Sequence, residues 1–84
     1  MSYTVVWKPA AEEELARLWT EAVDRDAITT AANEIDQWLR SNPHDQGESR
    51  SGAVRVMFIH PLGVFFHIED ADRVVSLLKV WRVR

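Results

Sequence analysis

Apolar residues change their spacing twice along this chain. Tyr3-Thr4-Val5-Val6-Trp7 is rich in β-branched and aromatic side chains and predicts a first strand. From Pro9 the spacing turns helical, with Ala11, Leu15, Leu18, Trp19, Ala22 and Val23 on one stripe. Pro9 suits a first helical position, where no N–H is needed, and Glu12 to Glu14 favour the positive end of the helix dipole. A second stripe runs Ile28, Ala31, Ala32, Ile35, Trp38, Leu39 and stops at Asn42-Pro43, with Asp26 as the expected cap. One helix over 9–41 would be about 50 Å long. Strands of ordinary length span only about 20 Å. The chain is therefore expected to break near 24–26 into a helical hairpin.

Residues 42–52 (NPHDQGESRSG) predict a polar loop, and beyond them the period is two. Ala53–His60 and Val64–Glu69 form two expected strands, joined by Pro61-Leu62-Gly63 with Gly63 as the left-handed residue. That register pairs Arg55 with Glu69, Met57 with His67 and Ile59 with Phe65. It turns Val54, Val56 and Phe58 toward the helices. Arg73–Val83 is the last strand. The order is β-α-α-β-β-β, an α+β domain over 1–84. Two helices are expected on one face of a small, mainly antiparallel four-stranded sheet. Met57, Ile59, Phe65 and His67 then line the uncovered face, too much apolar surface to be left wet. They are the expected partner-binding residues.

Composition narrows the class. With 84 residues, 46 % hydrophobic and 27 % charged, the chain fits one soluble domain. No segment is apolar over the ~20 residues of a membrane span, and no leader is expected. Having no cysteine suits a cytoplasmic location and excludes disulfides and thiolate metal sites. The formal charge is −3, unevenly spread. Residues 1–49 carry four basic and ten acidic side chains, whereas 50–84 carry six and three. An acidic helical surface and a basic strand surface follow.

Most catalytic signatures are missing. The three glycines are too scattered to cradle a phosphate, and His44, His60 and His67 lack metal-ligand spacing. No metal or cofactor is expected. The basic half does hold Arg50, Arg55, His60, His67, Lys79, Trp81, Arg82 and Arg84. Metal-free RNA cleavage needs cations for the scissile phosphate, a proton-transfer group and aromatics for bases. Arg55, His60, Lys79 and Arg82 are the candidate catalytic residues, and Arg50, Trp81 and Arg84 the candidate nucleic-acid contacts. Rim packing for Trp81 and a cross-strand ion pair for Arg55 are the plainer alternatives.

The segments VVWKPAAEEELARLW, AANEIDQWLRSNP with GESR, and RVMFIHPLGVFFHIEDADRVVSLLKVW together resemble the RelE/ParE superfamily, the toxins of type II toxin–antitoxin systems, also known as plasmid stabilisation proteins. The resemblance implies two helices on one face of a small sheet and a cognate antitoxin lying over the toxin. It also implies one of two targets: mRNA on the ribosome, cut by an endoribonuclease, or DNA gyrase, inhibited without catalysis. Arg55, Lys79, Arg82 and Arg84 fall where the nucleases carry basic residues. Two nuclease features are missing. No arginine opens the third strand, which reads Pro61-Leu62-Gly63-Val64, and no tyrosine lies near the C-terminus. An mRNA-cleaving toxin is the leading expectation, with a gyrase inhibitor or a fold-retaining, non-toxic interaction module as alternatives.

Overall fold

A computed structural model describes residues 2–84. Strand β1 (Thr4–Trp7) leads into helices α1 (Pro9–Glu21) and α2 (Arg25–Ser41). A short 3-10 turn (Pro43–Asp45) and strands β2 (Glu48–Ser51), β3 (Val54–Ile59), β4 (Leu62–Glu69) and β5 (Val74–Arg82) follow. The strands form one sheet in the order β1-β5-β4-β3-β2. β1 runs parallel to β5 and every other pair is antiparallel.

The helical hairpin forms as its stripes predict. Ile28, Ala31, Ile35 and Leu39 of α2 are buried against Met57, Leu62, Val64, Phe66, Val75, Leu77 and Val80 of the sheet. α1 packs mainly on β5, with Ala11 buried and Leu15 and Leu18 at the core margin. The break falls at residues 22–24, and Asp24, not Asp26, is the residue before α2. Arg25 secures the corner. Its guanidinium donates to the carbonyls of Trp19 (3.0 Å) and Thr20 (2.8 Å) in the last turn of α1, and stacks 4.5 Å over the Trp19 ring. Trp19 Nε1 donates to Thr29 Oγ1 across the two helices. The stripe residues Val23 and Trp38 lie outside the core and are exposed.

Two expectations about the sheet are corrected. It has five strands, because Glu48–Ser51 pairs with β3 at the edge. These four residues are polar and exposed, so no periodicity marks them as a strand. The β3–β4 hairpin turns on two residues, His60 and Pro61, joined by a cis peptide bond. Leu62 and Gly63 belong to β4, and Gly63 has no positive φ. Val54 therefore pairs with His67, Arg55 with Phe66, Met57 with Val64 and Ile59 with Leu62. The register is three residues from the expected one, and an odd shift exchanges the two faces of β3. Met57 (4 % exposed) is buried against the helices and Ile59 packs on the same core, while Val54, Val56 and Phe58 turn away. Arg55 does not oppose Glu69.

β5 reads as apolar on both parities because it bulges. Phe66 pairs with Leu77 and Phe65 with Lys79, leaving Leu78 as the extra residue. Leu77 and Val80 can then both reach the core.

Candidate docking face and basic cluster

The sheet face away from the helices is aromatic at its centre. Gly63 lies between Phe58 on β3 and Trp81 on β5, and Phe65 is two residues along the same face. Trp81 meets Phe65 with ring centroids 4.8 Å apart and Phe58 edge-on at 6.1 Å. A Cβ on Gly63 would sit 2.7–2.8 Å from three atoms of the indole, so the missing side chain is what lets Trp81 lie flat on the sheet. Phe58 remains 59 % exposed. His67, also on this face, lies between Val54 and Ser76 in the neighbouring strands and is half-buried. Of the four residues expected to meet a partner, Phe65 and His67 are on the open face. Met57 and Ile59 are not, and Phe58, Val56 and Val54 take their place.

Two residues of the basic cluster, Arg55 and Arg82, are engaged within the chain. Arg55 folds back on the loop that follows α2: its Nε and Nη2 donate to the Gln46 carbonyl (3.1 and 2.8 Å), and Nη2 also reaches the carbonyl of Gly47 at 3.2 Å. Arg82 makes a two-pronged ion pair with Asp24, Nη1 to Oδ1 at 3.0 Å and Nη2 to Oδ2 at 2.7 Å. Hydrogen bonding from Arg82, more than any other influence, holds the Asp24 carboxyl below its usual range, and the nearby His60 acts in the same direction. Lys79 is exposed opposite Phe65 and lies near enough to α1 to help Arg17 lower the Glu14 carboxyl. Among the described residues, Arg50, Lys79 and Arg84 make no ion pair. His60 is exposed in the hairpin turn.

A second polar cluster lies where β1 begins. Asp70 Oδ1 accepts from Tyr3 Oη (2.8 Å) and meets His44 Nε2 at 2.7 Å, and Arg73 stands 5.8 Å from the Tyr3 ring centroid. The His44 and Tyr3 bonds hold the Asp70 carboxyl below its usual range. These contacts tie the end of α2, the start of β1 and the β4–β5 turn together. Sequence reading missed them, because the three residues lie 26 and 67 positions apart. It also missed Asp24 as the partner of Arg82. Among the described residues no group of His, Asp and Glu side chains is placed to hold a metal, and no helix is long and apolar enough to cross a membrane.

Two helices laid on one face of a mixed five-stranded sheet match the RelE/ParE fold. Residues 5–84 match the family described as the ParE toxin of type II toxin–antitoxin systems, parDE, and the chain belongs to that family. Among solved structures it is similar to the RelBE2 toxin–antitoxin complex of Mycobacterium tuberculosis, with a TM-score of 0.81, 15 % identity, and 98 % of this chain and 92 % of that one covered. It is similar to the chromosomal ParDE system of P. aeruginosa (TM-score 0.75, 15 % identity, 98 % and 97 % covered). It is also similar to the isolated E. coli RelE toxin (TM-score 0.68, 12 % identity, 98 % and 85 % covered). No curated protein sequence matches the chain.

Proposed function

We propose that this toxin acts by binding and not by cutting RNA, with DNA gyrase as its target. In this reading an antitoxin segment silences it by covering the Phe58–Phe65–Trp81 face. One observation carries the reading: two of the four candidate cleavage residues, Arg55 and Arg82, are occupied within the chain. Arg55 is committed to backbone carbonyls and Arg82 to a carboxylate. A scissile phosphate needs at least two cations aimed at one point, free of internal partners. The face left open offers aromatic area instead, which suits a protein partner.

The test is a supercoiling assay with purified gyrase and rising amounts of the chain. Supercoiling should fall in proportion to the chain added, and Phe58→Ala should weaken co-purification with the antitoxin. Full-rate supercoiling at a large molar excess removes gyrase as the target. RNA cleavage is the second reading, favoured by His60 lying close to the Asp24–Arg82 pair. Translating ribosomes incubated with the chain decide it, since fragmented message that becomes intact with His60→Ala establishes that mechanism.

A further inference from the structure

An open sheet edge is a template for another strand, and proteins ordinarily defend it. The two edges of this sheet differ. β2 is guarded: it is short and polar, it carries Glu48 and Arg50, and it bulges between Ser49 and Ser51. β1 has none of these devices. Thr4–Trp7 is β-branched and aromatic, without charge, proline or bulge, and it pairs only with β5. Its even positions bond to the sheet, since Thr4 and Lys8 donate to the Arg73 and Leu77 carbonyls at 2.8 and 3.0 Å. The N–H and C=O groups of its odd positions therefore point outward. The Arg40 carbonyl at the end of α2 takes the Tyr3 N–H at 2.8 Å, but no strand lies beside Val5 and Trp7. Charge is also divided along this edge. A groove on the open face runs alongside β1, from Lys8 and Leu78 at one end to Glu69, Asp72 and Val74 at the other. Among the described residues, Lys8, Glu69 and Asp72 make no ion pair.

We propose that β1 is a dimerisation edge: a second copy of this chain adds its own β1 in antiparallel register, and the two sheets join into one. The outward groups of Val5 and Trp7 fix that register. Val5 faces the second copy's Trp7, and Trp7 its Val5, each pair exchanging both N–H···O bonds about a two-fold axis at Val6. The axis sets Val6, 37 % exposed in the single chain, directly against the second copy's Val6 on the open face. It also sets the second copy's Lys8 opposite Thr4, whose neighbour on β5 is Val74, at the end that holds Glu69 and Asp72. Symmetry returns the same contact on the other side. Charge thus selects the antiparallel arrangement, since a parallel one sets Lys8 beside Lys8. Arg73, at the acidic end, stands 5.8 Å from the Tyr3 ring centroid. Trp81 lies beyond the part of β5 that β1 covers, so the pairing leaves the aromatic face free.

The experiment is sedimentation velocity of the whole chain from about 1 µM to about 1 mM, the range in which small interfaces dissociate. The mass should rise with concentration from 9.7 kDa toward twice that value. Amide hydrogen exchange over the same series needs no variant. Exchange from the single chain alone means that the Val5 and Trp7 amides slow about tenfold where about nine-tenths of the chain is dimeric, while the amides of β2 do not change. Val6→Lys sets two like charges against each other at the axis and should weaken association at least about tenfold. Ser49→Lys puts the same charge on the other edge and should leave association within about twofold. A chain that stays single at every concentration overturns the proposal and leaves the edge to another strand, an extended antitoxin segment among them. So does a dimer that survives Val6→Lys in a folded chain, or one that Ser49→Lys abolishes instead.

Discussion

Replacing Gly63 by alanine reads out the packing of the open face directly. Strand interiors ordinarily favour alanine over glycine, so with room to spare this change would stabilise the chain by roughly 0.5–1 kcal/mol. There is no room: the new methyl would lie 2.7–2.8 Å from three indole atoms of Trp81. Forcing a methyl into a packed contact costs about 1–3 kcal/mol, and subtracting the propensity gain leaves a net loss of about 1–2 kcal/mol. For a domain of this size that lowers the melting temperature by roughly 5–15 °C. Thermal melting followed by circular dichroism gives the number, and near-ultraviolet dichroism reports the displaced indole. The decisive measurement is a double-mutant cycle. In a Trp81→Ala background the obstacle is gone, and Gly63→Ala should be neutral or stabilising, giving a coupling of about 2 kcal/mol between the sites. An equal loss in both backgrounds would refute the reasoning, because the cost would then arise from something other than the ring.

Three further outcomes follow from other contacts. Arg55→Met keeps much of the stem but removes the donors to Gln46 and Gly47, and should cost about 2 kcal/mol in urea unfolding, the usual worth of charge-assisted hydrogen bonds. Gly47→Ala should be more damaging than Gly52→Ala: both glycines have positive φ, but only at Gly47 would a Cβ run into the Val56 carbonyl, whereas Gly52 faces open space. Melting temperatures of the two variants compare them. Asp24, Asp70 and Glu14 all have folded pKa values below their ordinary ones. Their contribution is complete above the unfolded values near 4 and is lost as the pH falls through the lower folded values. The melting temperature should therefore drop on acidification below about pH 4, and less steeply in Asp70→Asn and Asp24→Asn.

How much of this was legible depended on whether the deciding contact was local. The helices were, because the spacing of Ile28, Ala31, Ile35 and Leu39 is itself the contact pattern. The open sheet face was also legible as a consequence of having only two helices. Its membership on β3 was not. Whether Met57 or Phe58 faces the core depends on one turn, and Pro61-Leu62-Gly63 satisfies a three-residue loop on paper. In the structure His60 and Pro61 alone make the connection, and Leu62 and Gly63 already belong to β4. β2 was illegible because Glu48–Ser51 is a strand by hydrogen bonding to β3 and not by burial. Arg55 and Arg82 lie in the second half of the chain, but their partners lie in the first half: the carbonyls after α2 for Arg55 and Asp24 for Arg82. Sequence separation of that order carries no periodic signal.

The position of β5 in the sheet has a consequence for how the protein comes into being. It lies between β1 and β4, and the ribosome makes it after every element it must join. Until residues 74–82 have emerged, β1 has no strand to lie beside and α1 has lost its main support. A half-made chain thus holds two fragments of a sheet with nothing between them. The sheet therefore closes only when β5 enters between β1 and β4.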